Sequence, residues 1–138
     1  MSIGIINLFL GWYKLTISQN DIKIKGHSIE CRINAEHPES FIPSPGVITQ
    51  YHQPGGLGVR VDSAVYQGYS VPPHYDSMIG KLITYADNRS ECIARMKRAL
   101  EEYVIMGINT NIQMHQKIIM TEEFKSGKYD INFMSTFN

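Results

Sequence analysis

The clearest pattern in the chain is a strict alternation of apolar and polar residues between His27 and Glu36. Successive side chains of a β-strand point to opposite faces of a sheet, so this segment predicts a half-buried strand. The apolar face consists of Ile29, Cys31, Ile33 and Ala35, and the polar face consists of Glu30, Arg32, Asn34 and Glu36.

Other short apolar segments predict further strands. Residues 15–24 are polar with scattered isoleucines, which predicts a connector containing a short strand. Val47–His52 and Leu57–Val61 flank a Pro-Gly-Gly turn at 54–56, and this arrangement predicts a β-hairpin. Met78–Tyr85 is predominantly apolar and predicts one more strand.

The second half of the chain changes to helical spacing. Asn88 is a favourable N-cap, Glu91 stands at the capping-box position three residues later, and Gly107 stands where a left-handed C-terminal cap belongs. These signals predict a helix between Asn88 and Gly107. Its apolar stripe consists of Ile93, Met96, Leu100 and Val104.

A second helix is predicted to start near Thr110 or Asn111, and a short helical turn over 122–125 is predicted to end at Gly127. Because strands come first and helices second, the sequence predicts an α+β fold with helices packed on one face of an antiparallel sheet. The buried stripe of the second helix is predicted to be Ile112, His115, Ile118 and Ile119.

Composition narrows the function classes. At 138 residues the chain predicts one domain, and 13 basic residues balance 13 acidic ones. That balance argues against nucleic-acid binding or a polybasic membrane segment. Neither Cys31 and Cys92 nor the histidines show metal-ligand spacing, so we predict no metal site, and no disulfide is needed. A reducing cytoplasm fits best.

The first residues, Met1–Tyr13, form an apolar run without a basic residue. A signal peptide needs a basic start and a small-residue cleavage site, and a transmembrane helix needs a longer run. We therefore predict a strand or helix that needs a partner surface.

Arg32 is the first candidate for chemistry. It lies on the polar face of the predicted strand with Glu30 and Glu36 at even spacing. An arginine held on a rigid strand can present its planar fork to a carboxylate, bicarbonate or ureido oxygen. The plainer alternative is a solvated strand face whose ion pairs contribute little.

The loop that begins with Pro72 and Pro73 is the second candidate. The prolines stiffen the approach to Tyr75 and Asp76, so Asp76 could orient an arginine or act as a base, with His74 beside it. One histidine and one aspartate are too few for a metal site, and a strand-entry turn is the plainer alternative.

The glycine-rich segment 54–60 lacks the lysine and the strand-turn-helix context of a phosphate-binding loop, so a hairpin turn is favoured. Leu57 and Arg60 could serve a contact between protomers. The alternative is an ordinary exposed pair.

Long motifs then point to a family. GHSIECRINAE, FIPSPGVITQYHQPGGLGVRVDS, YQGYSVPPHYDSMIGKLITY and IARMKRALEEYVIMGINTNI occur in this order. Together they resemble the C-terminal domain of biotin carboxylases over 15–138, with 1–14 left as an unmatched apolar leader. YDSMIGKL and GINTN resemble the bacterial and plastid type, which is a subunit of acetyl-CoA carboxylase.

The resemblance implies a reaction. Biotin carboxylase uses MgATP to activate bicarbonate as carboxyphosphate and then carboxylates N1′ of biotin on a carrier protein. Arg32 matches the family arginine that contacts bicarbonate and stabilises the biotin enolate oxygen. Asp76 matches an acidic residue on the same side, which we expect to position the arginine.

Three further residues match family positions. Leu57 and Arg60 match the homodimer contact, and Ile131 matches a position that packs near the adenine. The implied partners are the biotin carboxyl carrier protein, the carboxyltransferase and a second copy of the parent. The implied location is the cytoplasm, or the plastid stroma for a plant parent.

The family's ATP-grasp machinery, with its glycine-rich lid and Mg²⁺-binding glutamates, has no counterpart in this sequence. We therefore expect the chain alone to bind no cofactor and to be inactive, while the parent uses ATP, Mg²⁺, bicarbonate and biotin. Two alternatives stay open: a non-catalytic assembly or binding module derived from a biotin-dependent carboxylase, and an unrelated α+β binding domain.

Overall fold

The computed structural model describes residues 16–74 and 76–136, and in it six antiparallel strands precede a helix, a seventh strand and three further helices. The strands are β1 (His27–Asn34), β2 (Gly46–Val47), β3 (Gln50–His52), β4 (Val59–Asp62), β5 (Ser70–Val71), β6 (Met78–Ala86) and β7 (Val104–Met106). The helices are α1 (Arg89–Glu102), α2 (Ile112–Met120), α3 (Glu122–Ser126) and α4 (Phe133–Thr136).

The central sheet has the strand order β1-β6-β4, and all its pairs are antiparallel. The predicted strand at 27–36 is confirmed as β1, whose buried and exposed residues alternate as the sequence indicates. The predicted strand at Met78–Tyr85 is confirmed as β6. Two smaller ladders join β2 to β5 and β3 to β7.

Helix α1 covers one face of the central sheet. Its N-terminus is capped by Asn88, whose Oδ1 accepts a hydrogen bond from the Glu91 backbone N–H at 3.0 Å. The Glu91 carboxylate accepts from the Asn88 side-chain amide at 2.7 Å. One core cluster joins helix and sheet, and its fully buried members include Ile33, Leu82, Met96 and Leu100.

The α+β fold, with helices on one face of an antiparallel sheet, is confirmed. Helix α2 begins at Ile112, directly after Asn111, as predicted. Helix α3 ends at Gly127, which adopts the left-handed conformation with φ of 73°. Of the seven strands in the described residues, six precede α1 as predicted, and β7, between α1 and α2, departs from the predicted order.

The predicted hairpin between Val47–His52 and Leu57–Val61 is wrong. The first segment divides into β2 and β3, and β3 pairs with β7, while β4 pairs with β6. The division falls at Ile48, which is fully buried and whose N–H donates to the Tyr69 carbonyl at 2.9 Å. Local alternation identifies strands, but distant packing chooses their partners.

The sequence prediction extends the first helix to Val104 and Gly107, and both placements are wrong. The helix ends at Glu102, because Tyr103 adopts an extended conformation and its hydroxyl lies 3.0 Å from the Tyr51 hydroxyl. Val104 therefore starts β7, and Gly107 adopts φ of 95° in the turn after that strand.

The predicted strand within 15–24 is also wrong over the described residues. A single 3₁₀ turn, Gln19–Asp21, is present instead, and the Asp21 carboxylate accepts hydrogen bonds from the Ser18 N–H and hydroxyl at 2.7 and 2.8 Å. These local side-chain bonds stabilise a turn rather than a ladder. The prediction for Met1–Tyr13 lies outside the described residues.

Candidate functional site

Arg32 projects from the exposed face of β1, opposite the face covered by α1. Its side chain is 57% exposed. Its cross-strand partner on β6 is Lys81, and Lys81 is in turn paired with Asp62 on β4. Cross-strand partners share a face of the sheet, so Arg32 and Lys81 together place positive charge on the open face. No sequence pattern marks Lys81, because only the strand register brings it beside Arg32.

Asp76 lies beside Arg32, although 44 residues separate them in the sequence. Its Oδ2 is 3.6 Å from Arg32 Nη2, and its Oδ1 accepts a hydrogen bond from the Met78 N–H at 3.0 Å. Both charged side chains are largely exposed, so the ion pair contributes at most about 1 kcal/mol to stability. Its consequence is orientation: the carboxylate restricts the directions in which the guanidinium can point.

The loop that carries Asp76 is fastened to the end of β1. The Ala35 N–H donates to the Ser77 carbonyl at 2.7 Å, and the Ser77 hydroxyl donates to the Glu36 carboxylate. Glu36 thus holds the loop, and among the described residues the ion-pair partner of Arg32 is Asp76 rather than Glu36. Tyr75 lies outside the described residues.

Asp76 and Lys81 also line an open pocket of about 560 Å³ next to the exposed face of the sheet. Polar and apolar side chains both line this pocket, which suits a small polar ligand entering from solvent. Other lining residues are Asp62, Ser63, Tyr69, Val71, Pro72 and Ile79.

The backbone of Arg32 is held at the free edge of β1 by two side chains that the sequence did not indicate as functional. The Arg32 carbonyl accepts hydrogen bonds from Asn111 Nδ2 at 3.0 Å and from His115 Nε2 at 2.8 Å. In the sequence, Asn111 is only a helix start and His115 only a partly buried core residue. No local pattern links either of them to a strand that lies some 80 residues earlier.

The burial of His115 should make the stability of the fold depend on pH. Burial lowers the pKa of its imidazole, although the hydrogen bond to the Arg32 carbonyl opposes this shift. The unfolded chain therefore binds a proton at this residue more readily than the folded chain does. We expect the free energy of unfolding to fall as the pH drops below about 6.5, the ordinary histidine pKa, and to level off below the lowered pKa.

Denaturant unfolding at pH 7.5 and at pH 5.5 measures this effect. His115→Gln keeps a side-chain donor for the Arg32 carbonyl and removes the titration, so the variant should lose less stability between the two pH values than the parent chain. An equal loss in both proteins would show that His115 is not the group responsible.

The other predicted residues lie apart from Arg32. Leu57 is 91% exposed, just before β4. Arg60, on β4, pairs with Asp62 through two nitrogens, at 3.1 Å each. Ile131 is 97% exposed between α3 and α4. The structure brings Arg32 and Asp76 together. Arg60 lies on the same open face of the sheet but two strands away, on β4, and Leu57 and Ile131 lie outside the strands.

Metal and thiol chemistry find no support in the described residues. Over 16–74 and 76–136, no group of three or more histidine, cysteine, aspartate or glutamate side chains is arranged to hold a metal ion. Cys31 and Cys92 are both free and buried. Burial, followed by the nearby charge of Glu30, raises the pKa of the Cys31 thiol to about 12, so this thiol stays protonated and unreactive.

Comparison with known proteins agrees with this architecture. The family model described as the biotin carboxylase C-terminal domain matches residues 30–136. The chain belongs to this family. The predicted domain boundary at residue 15 lies outside the match and stays a prediction.

Relatives of this biotin carboxylase domain are similar over most of its length. It is 56% identical to biotin carboxylase 1 of Bacillus subtilis over 126 residues, which are 91% of this chain and 28% of the relative. It is 53% identical to a pyruvate carboxylase component of Methanothermobacter thermautotrophicus over 125 residues, 90% of this chain and 26% of that relative. The chain therefore spans little more than a quarter of the relatives that it matches.

A solved structure shows the same fold. The biotin carboxylase domain dimer of Hydrogenobacter thermophilus 2-oxoglutarate carboxylase, solved with MgADP, ADP and bicarbonate, is 40% identical and has a TM-score of 0.89. The similarity covers 95% of this chain and 30% of that one. Within the described part of the present chain, none of the helices has the length and apolar character needed to cross a bilayer.

Proposed function

We propose that this chain is the C-terminal domain of the biotin carboxylase subunit of an acetyl-CoA carboxylase, and that Arg32 contacts bicarbonate and the ureido oxygen of biotin. The observation that carries the proposal is the position of Arg32. Its guanidinium is exposed on the open face of the sheet, its carbonyl is held at the edge of β1 by Asn111 and His115, and Asp76 restricts the direction of the guanidinium.

The chemistry needs a permanent cation at this point. When biotin loses its ureido proton, negative charge develops on the ureido oxygen, and a preorganised cation stabilises that charge. Arginine stays protonated while a base acts nearby, and its planar fork matches two of the three oxygens of bicarbonate. Asp76 is a positioning residue in this proposal, because its carboxylate contacts the guanidinium and not the reacting atoms.

We expect other parts of the parent enzyme to carry out the ATP-dependent step. The chain spans 28% of the Bacillus subtilis relative, so we expect the groups that bind MgATP and form carboxyphosphate in the remaining length. Arg32 without those groups within a few ångströms cannot carry the reaction, and we expect the chain alone to be inactive. Ile131 is exposed and available to pack near the adenine of the assembled enzyme.

Contacts with other proteins are part of the same proposal. We expect a homodimer of the parent, which the solved dimer of the Hydrogenobacter domain supports, and we expect Leu57 and Arg60 to contribute to its contact. We expect the carrier protein and the carboxyltransferase as further partners, in the cytoplasm or, for a plant parent, in the plastid stroma. Motif wording favours acetyl-CoA carboxylase, whereas the pyruvate carboxylase component is nearly as similar as the Bacillus relative.

A non-catalytic assembly module is the second candidate. The exposed Leu57, beside the ion-paired Arg60, gives this module a surface for association that does not depend on Arg32. The two candidates differ in one property: only the first requires that this chain support carboxylation when the rest of a biotin carboxylase is supplied.

A chimera tests the first candidate. Residues 16–138 of this chain replace the matching segment of Bacillus subtilis biotin carboxylase 1, and carboxylation of free biotin is measured together with bicarbonate-dependent ATP hydrolysis. We expect the chimera to be active and the chain alone to show neither reaction. A folded but inactive chimera would favour the assembly module, and turnover by the chain alone would contradict the proposed division of labour.

A further inference from the structure

Asn111 occupies the free edge of β1. In the sheet order β1-β6-β4, one edge of β1 pairs with β6, and the other edge faces no strand among the described residues. The carbonyl of Arg32 and both backbone polar groups of Asn34 bond toward that open edge. Buried backbone groups need partners, and here Asn111 supplies them.

Asn111 pairs with β1 much as a neighbouring strand would. Its backbone N–H donates to the Asn34 carbonyl at 3.2 Å, its Oδ1 accepts from the Asn34 N–H at 2.9 Å, and its Nδ2 donates to the Arg32 carbonyl at 3.0 Å. The residue is only 4% exposed. A single buried amide therefore fixes the backbone on both sides of Ile33.

This is the place where β1 is otherwise least constrained. The β1–β6 register shifts between Ile33 and Asn34: Ile33 lies opposite Gly80, and Asn34 lies opposite Met78, so one step along β1 corresponds to two steps along β6. Such bulges disrupt the ladder locally. A slip of one residue moves every side chain of the slipped segment to the other face of the sheet, which would turn Arg32 from the open face toward α1.

We infer that Asn111 is a positioning residue for Arg32: its side-chain amide holds the strand register that keeps the guanidinium on the open face. The inference rests on the proposed role of Arg32 and deepens it. His115 supports the Arg32 carbonyl but has no bond to Asn34, so it does not fix the register by itself.

A double-mutant cycle in the chimera tests this role. Asn111→Ala should lower kcat/KM for bicarbonate by about 10–100-fold, because a misplacement of about 1 Å at a reacting group has effects of this size. In the Arg32→Ala background the same substitution should have an effect of less than about 2-fold, because coupled residues are not additive. Asn109→Ala is the matched control, since Asn109 lies in the same loop and bonds Ser44 instead of β1.

Two further measurements guard against simple unfolding. The melting temperature of the Asn111→Ala chimera should stay above the assay temperature, so that the loss of activity is measured on folded protein. In the 138-residue chain, amide hydrogen exchange at Asn34 should accelerate in Asn111→Ala and stay slow in Asn109→Ala.

The outcomes separate the two levels of the proposal. If Asn111→Ala causes the same fold-loss with and without Arg32, Asn111 has a general structural role and the inference is overturned while the role of Arg32 stands. If Arg32→Ala itself leaves kcat/KM unchanged, the proposed function of Arg32 fails first.

Discussion

Replacing Arg32 by alanine in the chimera should lower kcat for biotin carboxylation by about 10²–10³-fold, the usual effect of removing one donor that stabilises developing negative charge. The guanidinium lies on the exposed side of β1, beyond the core cluster, so the fold should be unaffected. Because the ATP-binding groups are expected elsewhere in the parent, the affinity for ATP should stay unchanged. Steady-state rates and nucleotide titration measure the two quantities.

Two further variants serve as comparisons for Arg32→Ala. Arg32→Lys keeps the positive charge and loses the planar fork, so it should recover only part of the lost rate. Lys97→Ala removes another exposed, ion-paired cation, this time on α1, and should leave the rate unchanged. If Arg32→Ala retained the full rate, or if Lys97→Ala lost as much, the assignment of Arg32 would be wrong.

Gly107→Ala should lower the free energy of unfolding of the chain by about 3 kcal/mol or more. The φ of 95° at Gly107 costs any residue with a Cβ about 1–3 kcal/mol. In addition, a Cβ at this position would overlap the Val47 carbonyl oxygen and lie 2.9 Å from the Thr49 nitrogen. Both are backbone atoms at the junction of β2 and β3, where the Thr49 N–H donates to the Met106 carbonyl at 2.8 Å, so they cannot move aside independently.

Gly68→Ala is the matched control for Gly107→Ala. Gly68 has nearly the same φ, 93°, and a Cβ there would meet nothing within 4 Å. Both variants carry the conformational cost, and Gly107→Ala alone adds the overlap with β2 and β3. Denaturant unfolding should therefore show a clearly larger loss for Gly107→Ala, and equal losses would contradict the close approach of these backbone segments.

Gly107 also illustrates what a sequence can predict. The pattern correctly indicates a left-handed residue near the end of the apolar run, but it attaches that residue to a helix that in fact ends at Glu102. Local signals specify the conformation of a residue. They do not specify that Tyr103 leaves the helix to contact Tyr51, a residue 52 positions earlier.

The strands show the same difference between what local patterns predict and what distant contacts decide. β1 and β6 are predictable because their patterns are long and one face of each is buried. The predicted hairpin is wrong because β3 and β4 are short, and their partners, β7 and β6, are chosen by packing at a distance.

The candidate site depends even more on contacts between residues that are distant in the sequence. Spacing makes Arg32 a candidate, and the family resemblance, rather than any pattern, connects it with Asp76. The contacts of Asn111 and His115 with the Arg32 carbonyl join residues about 80 positions apart, and they involve backbone atoms that carry no sequence signal.

A crystal structure of the chimera with bound bicarbonate tests the central claim most directly. We predict the bicarbonate on the open face of the sheet, with its oxygens within about 3 Å of the Arg32 guanidinium nitrogens and with Asp76 still beside the same side chain. Bicarbonate held entirely by residues outside this domain, with the Arg32 side chain directed away from it, would contradict the proposed role of Arg32.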